Sequence, residues 1–419
     1  MSRRLTGRRG FHWWLGGATA STLGDGVSFF AISWIAASHG PGVASLVLTV
    51  ESVPLCLFIL AGGAVADHWG VRRVMIGCDA FMALVMGAFA IGALVAVPVW
   101  GLVAVAALGG TASALRRPAA GVFPRLFARG DEELSRTMAT STLCQQLAQI
   151  VGPSVGGMLL AAGGLSMTSA VDSGSFVLVL CVLAAVRPPY EEAPAAGDAE
   201  PMWRQMRQSV VAARRLPGGP ATVAAVVGLA VTILPLVSLC VPLAGHGRGW
   251  SAGATGMVSG AWVVGGLLVM TVVARRGMFG RRVSLAGPVV AAAGVLALAS
   301  SQGVPAAAAA LMLVGAGTSM LTTRLFPRFV DAAPPAMLAR LYSVLGLAQS
   351  APMLVATPLL GWLVGVVGLR AVMLVLAAIL VATAAAARRA DARLGGAGQS
   401  SSRARSRAAA PPDSPPAAR

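Results

Sequence analysis

The sequence predicts an all-α polytopic membrane protein: twelve transmembrane helices in two pseudo-symmetric six-helix bundles. Three observations predict it: the apolarity of the whole chain, the regular length of its apolar runs, and the one-sided placement of its arginines. Of 419 residues, 56% are hydrophobic and 11% charged, with mean hydropathy +0.77; soluble domains average about 25% charged residues. A chain this apolar is no soluble globule. Helices of roughly 20 apolar residues are the simplest way to take it through a bilayer, because no water is present there to bond an open backbone.

Twelve runs bounded by charge, Pro or Gly have that length: residues 13–36, 43–66, 74–96, 100–120, 137–162 and 167–186 in the first half, then 219–242, 252–274, 283–301, 305–326, 341–366 and 369–387. They divide the chain into a cytoplasmic N-terminus (1–12), an N-terminal six-helix bundle (13–186), a linker (187–218), a C-terminal six-helix bundle (219–387) and a tail (388–419). The first residues, MSRRLTGRRG, are basic, but the apolar stretch after them is of spanning length, so a first span is expected rather than a removed signal peptide. In the linker, Trp203, Met206 and Val210 share one helical face against arginines, the pattern of a helix lying on the membrane surface. The Arg/Pro/Ser-rich tail is expected to be disordered.

Every basic residue among the 32 Lys and Arg is arginine. With the N-terminus inside, thirty of them fall in cytoplasmic segments and only Arg248 and Arg370 lie outside, which places both termini in the cytoplasm of a bacterial plasma membrane. The net charge of +17 is then a topology signal with an affinity for anionic lipids, not a nucleic-acid footprint. The missing lysine removes a Walker A loop and with it an ATP-driven pump within this chain. The five cysteines lie within apolar runs without metal-ligand spacing, so no metal and no cofactor are expected.

The two halves echo each other. Each has a basic loop between its second and third spans, Asp67 to Arg73 and Arg275 to Arg282, and a longer one between its fourth and fifth. Duplicated halves with the ligand path at their interface are a transporter architecture. In the first of these loops, Gly63, Ala66, Asp67, His68, Gly70, Arg72 and Arg73 resemble the signature loop of the major facilitator superfamily, with His68 where an arginine is usual. Gly152, Pro153, Gly156 and Gly157 in span five resemble the GPxxGG end of the motif associated with drug antiporters of that superfamily. The stretches WLGGATASTLGDGVSFFAISWIA, LRRPAAGVFPRL, SAVDSGSFVLVL and LARLYSVLGLAQS look like the branch containing siderophore exporters and macrolide-efflux-like proteins. The resemblance implies alternating access of two bundles, with Asp67, Arg72 and Arg73 as parts of a cytoplasmic gate.

Four acids lie inside predicted spans: Asp25, Glu51, Asp79 and Asp172. An ionised carboxylate at the bilayer centre costs on the order of 3 kcal/mol, so each needs a reason to be there. Asp25 and Glu51 fall near mid-depth on neighbouring spans and are candidates for proton coupling; hydrogen bonding to nearby helices is the alternative. Asp79 is expected to join the Asp67 and Arg72 network, and Asp172 to be chiefly structural. Gln145 and Gln149 are candidates for neutral hydrogen bonds within a cavity, and Arg116 and Arg117 are expected at the inner end of span four, paired with Asp67 or lipid phosphate.

The expected activity is secondary transport, most simply efflux of a small amphipathic compound such as a drug, antibiotic or siderophore-like metabolite against proton entry, by a monomer. Its partners are then a small-molecule substrate, protons and anionic lipids. Import or uniport on the same fold, or a non-transporting scaffold, are the alternatives. The four histidines are dispersed near span ends and no nucleophile pairs with a base, so no enzyme is expected.

Overall fold

The computed structural model describes residues 7–128, 130–190, 218–331 and 348–408, together with Val211, Arg214, Leu216, Leu345 and Gly346; within α2 and at several helix ends only the backbone is described. Its regular elements are all helical. The first half comprises α1 (Gly7–Ser38), α2 (Pro41–Trp69), α3 (Val71–Gly92) and α4 (Val99–Val122), then a 3₁₀ turn, Phe123–Phe127, and a continuous run Asp131–Ala185. That run is two helices, α5 (131–162) and α6 (165–185), folded at Gly163 and Gly164. Gly164 has φ +67° and ψ −166°, a conformation open to glycine, so the reversal needs no loop.

The second half comprises α7 (Gly219–Gly247), α8 (Ala252–Arg276), α9 (Arg281–Ser300), α10 (Val304–Asp331), α11 (Ala348–Val367) and α12 (Leu369–Ala408). Pro235 lacks an amide hydrogen, and α7 widens there into a π-turn over Leu236–Cys240. Among the described residues nine helices are long and apolar enough to cross a membrane, and one, Glu132–Ala185, contains both α5 and α6. Ten of the twelve expected crossings thus meet the measure of length and apolarity. The other two, α1 and α2, are 32 and 29 residues long. In α2 the segment Pro41–Pro54 is the described apolar part.

Helix α12 does not stop at residue 387. Asp391 and Leu394 are buried, and a Cβ at Gly218 would lie 2.8 Å from Ala390 O, so the start of α7 packs on residues placed in the tail by their composition. The expected surface helix of the linker, around Trp203, Met206 and Val210, lies outside the described residues, as does the end of the tail.

Within the first bundle α1 packs on α5 and α6, α2 on α4, and α3 on α4 and α6; within the second α7 packs on α12, α8 on α10, and α9 on α10 and α12. Ser166 and Ser173 of α6 donate to Ala90 O and Ala83 O of α3, both at 2.8 Å. Between the bundles α5 meets α8, α2 meets α11, and α1 meets α7. These contacts share one end of the molecule, the end opposite the arginine-rich one. One apolar core there runs through both bundles, from Trp34 and Leu48 to Val258, Leu360 and Leu376. At the arginine-rich end the cores are separate: Phe11, Trp14, Met75 and Phe123 cluster in the first bundle, while Leu285, Leu321 and Leu394 cluster in the second. The bundles are joined at one end and, among the described residues, unjoined at the other.

Candidate functional site

A charged cluster occupies the middle of the N-terminal bundle. Helix α3 brings in Asp79, wholly buried, and α4 brings Arg116, which donates through Nε to Asp79 Oδ1. The Nη2 of Arg116 is 3.3 Å from Ser21 Oγ of α1. One turn further along α1 is Asp25, exposed although it lies just past the middle of its helix. Asp25 is within electrostatic reach of Arg116, Arg117, Glu51, Asp79 and Asp172. Glu51, half-buried on α2, also senses Arg117. Its backbone rests directly on Gly110 of α4, where any side chain would overlap Glu51 O.

Asp172 enters from α6 and is 1% exposed. Gly24 of α1 makes room for it, since a Cβ there would lie 2.6 Å from Asp172 Oδ1. Ser175 Oγ donates to Asp172 O at 2.7 Å and is 3.4 Å from Oδ1. The second oxygens of Asp79 and Asp172 are buried without hydrogen-bond partners. Buried polar atoms are nearly always paired, so these two oxygens are exceptions. Among the described residues no three His, Cys, Asp or Glu side chains gather as metal ligands.

The structure therefore brings Asp25, Glu51, Asp79 and Asp172 to one place, and it adds Arg116 and Arg117, which the span pattern assigns to a helix end. Asp79 pairs with Arg116 rather than with Arg72, because about two helix turns separate it from the start of α3. Arg72 instead reaches α6, donating to Leu183 O from Nε at 3.1 Å and from Nη2 at 2.5 Å. It thereby satisfies carbonyls that the end of α6 leaves open. Arg73 is exposed, and Gly70, with φ 85°, makes the reversal from α2 to α3. Of Asp67 and Gly63 only the helical backbone is described. Gln145 donates to Ser141 within α5 at 3.2 Å and Gln149 is exposed.

The span-five glycines face two ways. A Cβ at Gly152 would be 2.8 Å from Gly26 Cα, and one at Gly156 2.7 Å from Val27 O, both on α1. One at Gly157 would be 2.5 Å from Ala252 O of α8, in the other bundle. Pro153 O lies equally close to Gly256, and Ser154 Oγ donates to Gly256 O at 3.3 Å.

In the C-terminal bundle Asp391 of α12, 2% exposed, accepts from Arg281 of α9 at 2.7 Å and from Arg324 and Arg328 of α10 at 2.9 and 2.5 Å. Composition hid this carboxylate in a stretch that reads as low-complexity tail.

Residues 14–282 match the family model of the Major Facilitator Superfamily. Among curated proteins, the chain is 30% identical over 182 residues to the multidrug efflux pump Tap of Mycobacterium tuberculosis, covering 40% of this chain and 42% of the relative. It is 28% identical over 179 residues to Tap of Mycolicibacterium fortuitum, covering 41% and 43%. The match thus spans about two fifths of the length of these relatives. Among solved structures, a bacterial homolog of the human lysosomal transporter Spinster, inward-facing and unoccupied, is similar at TM-score 0.68 with 11% identity, over 93% of this chain and 98% of that one. A POT family transporter in complex with 5-aminolevulinic acid is similar at TM-score 0.66 with 12% identity, over 88% and 94%. At these identities the two structures speak to the fold alone.

Proposed function

This chain belongs to the Major Facilitator Superfamily, and we propose that it exports a small amphipathic compound in exchange for protons. It is a polytopic transporter rather than an enzyme. The observation that carries the proposal is the exposed carboxylate of Asp25 at mid-span, set among Glu51, Asp172 and the Arg116–Asp79 pair. An unneutralised carboxylate at that depth costs on the order of 3 kcal/mol. A proton removes that cost, and so does a bound cationic or hydrogen-bonding compound. A bundle rearrangement is then favoured with either occupant and disfavoured with neither, which is the condition for exchange.

Among the described residues the bundles are unjoined at the arginine-rich end, which supports uptake of the compound from that side, the cytoplasmic one by the positive-inside rule. The printed name of the Tap relatives supports the outward direction. We place the protein in a bacterial plasma membrane as a monomer drawing on the proton gradient, with its arginine-rich end against anionic lipid.

The test is transport in inside-out vesicles with an imposed pH gradient, comparing wild type, Asp25→Asn and Glu51→Gln over a panel of compounds. Gradient-driven accumulation that both substitutions abolish is the expected result. Accumulation independent of the gradient and of both carboxylates rejects antiport. Reporter fusions at residues 200 and 390 are both expected to read cytoplasmic.

A further inference from the structure

Where the bundles are joined, one contact sets a titratable ring against an aromatic one. His246, in the last turn of α7, lies against Trp34 near the end of α1, with ring centroids 3.8 Å and planes 31° apart. Trp34 is buried and stacks on Phe30, one turn earlier, at 6.3 Å. The approach depends on Gly245, where a Cβ would lie 2.7 Å from Trp34 Cζ3. The His246 Nδ1 is 3.1 Å from Pro242 O. A carbonyl only accepts, so Nδ1 carries hydrogen in both charge states, and the second proton goes to Nε2.

Protonation changes what this contact is. Neutral imidazole on indole is an ordinary aromatic contact, whereas imidazolium adds the attraction of a cation for the negative face of the ring. No opposite charge competes for it among the described groups. The helices packed against this turn are α1 and α8. From α8 the first charged side chain is Arg275, at the far end of the helix. From α1 there are His39, whose Nδ1 is 3.0 Å from Ile35 O, and Asp25, more than two turns deeper. Beside His246 on its own segment, Arg248 donates to Leu298 O at 2.8 Å and lies over Trp250 at 5.1 Å.

We propose that Trp34 and His246 form a proton-operated latch: a proton on His246 Nε2 tightens its hold on Trp34 and favours the state in which the bundles are joined away from the arginines. The latch gives the C-terminal bundle a titratable group separate from the carboxylates of the first. It acts on the closure itself, whichever compound moves and in whichever direction. A cation–π contact of partly buried groups shifts a two-state ratio by roughly threefold to thirtyfold.

The test measures the distance across the joined end by electron–electron double resonance in lipid nanodiscs. Spin labels are introduced as encoded amino acids at Leu94 and Gln302, both exposed, leaving the native cysteines in place. Going from pH 8 to pH 5.5 is expected to raise the joined-to-open ratio at least threefold in the wild type. His246→Gln and Trp34→Leu are each expected to cut that response to what the carboxylates of the first bundle contribute, and His246→Arg to keep the ratio high at both pH values. No pH response in the wild type, or an undiminished one in His246→Gln, overturns the proposal. Should His246→Gln fail to fold, an undiminished response in Trp34→Leu overturns it equally. Quenching of the emission that Trp34→Phe removes, upon acidification, is a second readout.

Discussion

Arg116 donates to Asp79 across the α3–α4 contact while its other arm touches Ser21 of α1, so one side chain ties three helices together at the level of the exposed Asp25. Arg116 is 14% exposed and Asp79 not at all. Removing one partner of such a pair leaves a buried charge uncompensated, which costs about 3–5 kcal/mol. Asp79→Asn and Arg116→Gln are each expected to lose stability of that order in denaturant unfolding in detergent. The double variant is expected to recover part of it, and strict additivity of the two losses would show that the pair does not act as a unit.

The span-five glycines predict two distinct failures. Gly152→Leu and Gly156→Leu crowd α1 within one bundle and are expected to cost about 1–3 kcal/mol of folding stability. Gly157→Leu and Gly256→Leu crowd the seam between bundles instead. Their expected signature is faster amide exchange at residues 41–45 and 252–256, with the bundle interiors as protected as in the wild type. Uniform loss of protection in all four would refute this division.

Asp391 predicts a graded series. Asp391→Asn leaves three arginines without their shared carboxylate, and a loss of about 3–5 kcal/mol is expected in the same unfolding assay. Arg281, 58% exposed, is expected to cost less than about 1 kcal/mol as Gln. A chain ending at Ala387 removes both Asp391 and the Leu394 contact and is expected to unfold at lower temperature than Asp391→Asn. Equal behaviour of that truncation and the wild type would return residues 388–394 to the status of a tail.

The helix pattern and the two halves were legible because apolar length and arginine placement are written along the chain. The charged cluster was legible only in its acids. Asp25 and Glu51 stand out because a carboxylate inside a span demands an explanation, and the same reasoning applies to Arg116. Its position beside a basic loop gave it a sufficient reason as topology charge, so its reach towards Asp79 went unread. The division of the glycine motif was available in principle: Gly152 and Gly156 are four residues apart and share a face, while Gly157 is turned by about 100°. Which face meets which bundle is a matter of tertiary packing that no local pattern carries. Asp391 was hidden because an Ala-rich helix end and a low-complexity tail look alike in composition.

The connections at the joined end are very short: residues 39–40, 93–98, 163–164, 248–251, 301–303 and Gly368. An antibody, a protease or an affinity tag approaching from that face therefore finds almost no slack chain to grip. Any epitope inserted there is spliced within a few residues of the contacts that hold the bundles together, so on that side an inserted segment, unlike a single substituted residue, lengthens the joints of the closure itself.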